Sequence, residues 1–198
     1  MHEQLADLPI NLTGHLQLTL MALAIGVTCS VPLGVWVTRK PRWQGPVIGV
    51  AGVIQTIPTL ALLAVMVPLL AMMGQYTSAL FGFALPGFGY TPALIAITLY
   101  SVLPILQNTV AAIHAVDPVL IQAAKSVGMT PMQQLMRVEL PLAMPVIVAG
   151  IRTATVWVVG MATIATPVGA RSLGNYIFSG LQTRNTVSIV FGCVAAAL

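Results

Sequence analysis

Apolar residues fall along this chain in long blocks separated by short polar intervals, not in single alternating positions. A helix crossing the hydrocarbon core of a bilayer needs about 20 apolar residues, and the blocks have that length. The pattern predicts spans at 16–38, 47–73, 92–113 and 142–165. A further apolar block, 186–198, is too short to cross at about 1.5 Å per residue, so it is expected to be a truncated fifth span. Between Trp43 and Val116 there is no Asp, Glu, Lys or Arg. That interval suits two crossings, with GQYTSALFGFALPGFGYT (74–91) as an outer break, interfacial or re-entrant. Pro58, Pro68 and Pro104 lie inside spans and each removes a helix donor. Packing kinks or a water-lined path would both accommodate them.

Composition makes the class firm. Of 198 residues 58% are hydrophobic and only 6% charged, against about 25% charged in soluble domains. The chain reads as an all-α integral membrane protein of about five transmembrane helices, a single transmembrane domain over 1–198. Its net charge of +4 clusters at segment ends, which sets topology and does not suggest nucleic acid as a partner. Arg39, Lys40 and Arg42 form the densest basic cluster, flanked by Trp36 and Trp43 as interfacial aromatics. By the positive-inside rule this end faces the cytoplasm. Lys125 and Arg137 agree, while Arg171 and Arg184 fall on the outer side. The acidic N-terminus, without a basic signal region, is expected outside. Cys29 and Cys193 sit in apolar blocks without ligand-spaced neighbours, so neither a metal site nor a disulfide is expected.

The longest polar interval, 117–141, is the informative one. Asp117 is placed to cap a helix that starts at Pro118, and Gly128 to stop it. Thr130, Pro131 and Gln133 repeat the start signal as a capping box, and Pro141 is expected to close the second helix. Leu120, Ala123, Ala124 and Val127 make one small apolar face; Met132, Leu135 and Met136 make another. Two readings stay open on these residues alone. One is an amphipathic connector; the other is a docking element whose Ala123 and Ala124 let a partner approach closely.

This interval resembles the loop of permease subunits in binding-protein-dependent ABC importers. That pattern is Glu-Ala-Ala, three residues, Gly, nine residues, Ile, one residue, Leu-Pro. Gln122, Ala123, Ala124, Gly128, Val138, Leu140 and Pro141 stand in the matching places, with Gln122 for Glu and Val138 for Ile. QTIPTLALL from Gln55, LPILQNT from Leu103 and VGARSLGNYIF from Val168 resemble the osmoprotectant branch, for glycine betaine, choline and carnitine. The resemblance implies a type I importer permease in the cell inner membrane with a cytoplasmic helix-turn-helix coupling loop. It implies three kinds of partner: a dimer of cytoplasmic ATPase subunits, a second permease (same chain or paralogue) and an extracytoplasmic solute-binding protein. ATP and Mg would be bound by the ATPase; no cofactor is expected in this chain. The ATPase-coupling residues would be Gln122, Ala123, Ala124, Lys125, Gly128, Met129, Leu140 and Pro141.

The energy source is argued independently by what the spans lack. The carboxylates are Glu3, Asp7, Asp117 and Glu139, none inside a predicted span, so no proton relay at depth is evident. His15 and His114 are placed near span ends and read as interfacial. No GxxxxGK[ST] phosphate loop occurs, and no paired Asp or Ser/His arrangement suggests an intramembrane protease. Uphill transport would need a partner's energy; a passive channel or facilitator is the alternative. Arg152, the one ionisable residue well inside a span, lines a vestibule, anchors the coupling loop or snorkels. Gln55, Thr56, Thr59, Gln107 and Asn108 either link helices by hydrogen bonds or line a translocation path, for which Gln55, Thr56, Pro58, Thr59, Asn108 and Arg152 are the candidates.

Overall fold

A computed structural model describes residues 2–82 and 86–197. Residues 83–85 of the expected outer break, and Leu198 at the end of the fifth expected block, lie outside the described residues. Every described element is helical: α1 His2–Thr38, α2 Pro41–Thr56, α3 Thr59–Phe81, α4 Tyr90–His114, α5 Pro118–Ser126, α6 Pro131–Gln134, α7 Leu140–Ile164, α8 Gly174–Thr183 and α9 Thr186–Ala197. A π-helical turn, Leu135–Glu139, joins α6 to α7. A 3₁₀ turn, Thr166–Val168, follows α7.

The core is α1, α4 and α7 packed on one another. Lipid is as apolar as leucine, so helix association here rests on close packing rather than on expelling water. Small residues mark the contacts. A Cβ at Gly26 of α1 would overlap Ser101 of α4, and one at Gly34 would lie 2.7 Å from Thr109 Cγ2. Both pairs advance together along the chain, so α1 and α4 run parallel. Parallel spans need a return crossing between them, which α2 and α3 supply. On the other side of α4, Gly150 of α7 would place a Cβ 2.5 Å from Asn108 Cβ. Ala112 and Ile113 near the end of α4 pack with Ala143 and Ile147 near the start of α7, so those two are antiparallel.

Among the described residues, four segments are long and apolar enough to cross a membrane: Asp7–Thr38, Thr59–Ser78, Tyr90–His114 and Pro131–Ile164. Three expectations need correcting. First, the helix of the first span begins at His2, well before residue 16, and carries Pro9 within it. His15 on this extension is buried among the helices, and neither ring nitrogen has a partner among the described residues.

Second, the expected span 47–73 is not one helix. It breaks at Ile57–Pro58, because a proline pushes the residue before it to extended backbone; Ile57 has φ −72° and ψ 126°. α2 packs its Ala51 along Leu106 and Val110 of α4, while Leu62 and Leu63 of α3 pack by Ala93, Ala96 and Ile97. The break therefore lies beside the middle of α4. Tyr100 there donates its hydroxyl hydrogen to the Ile57 carbonyl, and Gln55 Nε2 donates to the Tyr100 carbonyl at 2.8 Å. An irregular backbone at membrane depth must satisfy its polar groups within the protein, and this pair does so.

Third, Pro141 does not close a helix. The chain stays helical from Pro131 to Ile164. A proline in an α-helix lacks a donor and its ring strikes the carbonyl four residues back. The π-turn just before it, where Leu140 N donates to Leu135 O, widens the helix at that point. The fifth block forms α9, 12 residues that are apolar but shorter than a crossing.

Candidate functional site

The interval 117–141 folds as its local signals ask. Asp117 accepts from Val119 N at 2.8 Å and caps α5. α5 ends through Met129 N to Ala124 O (3.1 Å) and Gly128 N to Lys125 O (3.0 Å). Those bonds need a left-handed residue, and Gly128 supplies it at φ +80°. The capping box is complete: Thr130 N donates to Gln133 Oε1 at 2.9 Å, and Gln133 N donates to Thr130 Oγ1 at 3.3 Å.

The faces of this loop differ from expectation in one respect. Ala124 is buried against its own chain, so it offers no surface to a partner, whereas Ala123 is exposed. The other members of the small apolar face are open: Val127 is 73% exposed and Leu120 44%. Met132 (67%) and Met136 (60%) are open too. Gln122, Lys125 and Pro141 are exposed, while Met129 and Leu140 are half-buried. The loop thus turns a run of apolar side chains outward beyond the core bundle.

What roots the loop was not anticipated. Glu139 is fully buried in the π-turn. Its Oε2 pairs with the Arg39 guanidinium, and its Oε1 accepts from Gln134 Nε2 at 2.7 Å. Arg39 belongs to the basic cluster at the end of α1, so the cluster and the loop share one end of the bundle. Arg171, whose carbonyl lies against Gly14 near the start of α1, is at the other. A sequence clue existed: a lone carboxylate between Val138 and Leu140, on an apolar segment, must find a cation. Its partner, 100 residues away, had no local signal.

The residues considered for a path divide into two groups. Gln55, Thr56, Pro58 and Thr59 gather at the α2–α3 break, with Thr56 and Pro58 exposed. Asn108 instead bonds Pro104 O at 2.8 Å and lies against Gly150, in the α4–α7 contact. Arg152 is exposed on α7. No described hydrogen bond joins the two groups.

A model of the family described as "Binding-protein-dependent transport system inner membrane component" matches residues 30–198. The chain belongs to that family. It is an integral membrane permease. Among relatives, a choline transport system permease protein of Bacillus subtilis (strain 168) is 43% identical over 93% of this chain and 77% of its own length. An osmoprotectant import permease protein of Salmonella typhimurium is 37% identical over 93% of this chain and 80% of its own. Among solved structures, an inward-facing MetNI methionine ABC transporter superposes with TM-score 0.81, covering 100% of this chain and 91% of that one at 23% identity. That likeness supports the type I permease fold.

Proposed function

We propose that this permease imports small osmoprotectants, quaternary ammonium compounds such as choline and glycine betaine, driven by a cytoplasmic ATPase that seats on the 117–141 loop. The observation that carries the docking is the outward display of Val127, Met132 and Met136 on a capped helix pair rooted at the basic end of the bundle. Val127 and Leu120 lie on α5, outside the candidate spans, where open apolar side chains of that size suit a protein contact, and Met132 and Met136 at the start of the Pro131–Ile164 segment extend that surface. Gln122, Ala123, Lys125, Gly128, Met129, Leu140 and Pro141 complete the surface or hold its shape; ATP and Mg belong to the ATPase. The substrate class rests on the printed functions of the choline and osmoprotectant permeases above. The family description supports an extracytoplasmic binding protein as a partner. A second permease, the same chain or a paralogue, would complete the pore. The break at Gln55–Thr59 is the favoured lining of the path, since exposed polar groups at a helix discontinuity suit a solute site near mid-depth; Asn108 and Arg152 would line it lower down. The N-terminus lies outside and the loop inside the cell inner membrane in this reading.

Two measurements test it. Val127→Asp with Met132→Asp should abolish co-purification of the ATPase while membrane insertion persists. Normal co-purification of that variant removes the docking role. Uptake of labelled choline or betaine should require the ATPase; uptake that survives its deletion makes the chain a passive facilitator.

A further inference from the structure

Three parts of the molecule meet at one carboxylate. Glu139 is buried at the root of α7, so it cannot touch a docked ATPase. Gln134, which donates to it, is the last residue of α6, whose first turn is the Thr130–Gln133 capping box of the loop. Arg39, which pairs with it, sits in the corner between α1 and α2, held there by Arg39 N to Trp36 O and Lys40 N to Val37 O. The π-turn makes this possible. In an α-helix five residues advance about 1.4 turns, so Gln134 and Glu139 would face apart. A turn bonded from i to i+5 brings them to one side.

Stability alone does not call for such a group. Arg39 is 44% exposed and can return its charge to water, and an ion pair whose carboxylate is buried can often be replaced by apolar residues of similar volume without loss. We propose that Arg39, Glu139 and Gln134 form the joint that carries displacement of the loop into the α1–α2 corner. Motion reaches α7 through the continuous helix and the middle of α1 through the packing of Val31 and Val35 on Ala143 and Ile147; the joint ties that motion to the α1–α2 corner itself. The three are positioning residues that act on transport through the helices they tie together. This rests on the ATPase docking reading above.

The test uses the reconstituted complex with its ATPase and binding protein. Assembly, basal ATP hydrolysis and choline uptake per ATP are measured together for Glu139→Gln, for the charge swap Arg39→Glu with Glu139→Arg, and for the apolar pair Arg39→Met with Glu139→Leu. The apolar pair should assemble and hydrolyse ATP as wild type does, yet lose about tenfold or more of its uptake per ATP, within the usual range of coupling between sites. Glu139→Gln should show the same split, and the charge swap should recover uptake per ATP above it. Wild-type uptake per ATP in the apolar pair overturns the proposal. So does a parallel loss of assembly and hydrolysis in every variant, which would make the cluster a folding element. Failure of the wild-type chain to bind an ATPase at all sinks the docking reading instead, and the joint with it.

Discussion

Single residues set how close the helices come. Gly150 lies where any Cβ would meet Asn108 Cβ at 2.5 Å and the Pro104 carbonyl at 3.1 Å, and a carbonyl in a helix cannot step aside. Gly150→Val is expected to destabilise the fold by about 1–3 kcal/mol, as overpacking does. The control is Gly45→Ala, where nothing lies within 4 Å of an added Cβ; its melting temperature in detergent should not fall. Tyr100 is a second such residue. Tyr100→Phe keeps the ring but strips the Ile57 carbonyl of its donor. At membrane depth no water replaces that donor, and leaving an acceptor unpaired costs about 1–3 kcal/mol, so the same melting assay should show a loss, with Tyr90→Phe, whose hydroxyl bond is a long 3.4 Å and exposed, nearly neutral.

At the scale of elements, the loop depends on its caps. α6 is only four residues long, and such a piece has no stability of its own. Thr130→Ala removes the side-chain acceptor for Gln133 N and is expected to cost about 1 kcal/mol. Amide exchange over the loop should then speed up by roughly fivefold; unchanged rates would mean that packing, not the cap, holds α6. The loop's helices, caps and glycine stop were legible beforehand because each depends on neighbours within four residues. The helix break was not. Pro58 was noted, yet a proline alone does not distinguish a kink from a break. The contact with Tyr100 decided that, because it satisfies the backbone group that a break sets free.

For the whole molecule, the direction of each span follows from the contacts. α1 and α4 run the same way, α7 runs back, and the basic cluster joins the loop at one end through Arg39 and Glu139. The residue count predicts the side: Arg39, Lys40, Arg42, Lys125 and Arg137 for that end against Arg171 and Arg184 for the other. In a variant lacking Cys29 and Cys193, an impermeant maleimide added to intact cells should label a cysteine at Asp7 and spare one at Lys125. The reverse pattern would invert the topology and remove the loop from the ATPase's reach.

Composition and periodicity by themselves determined that this chain lives in a membrane, about where it crosses, and where its one structured polar loop lies. Those properties are sums over stretches of chain, and the bilayer and the helix enforce them locally. Only the tertiary structure decided that Ala124 faces inward, that His15 is buried, that α2 and α3 are separate helices, and that Glu139 answers to Arg39. The last two depend on which surfaces meet across 45 and 100 residues of sequence. A lone carboxylate in an apolar segment announces that it needs a partner; only the packing of α1 beside the root of α7 says which one.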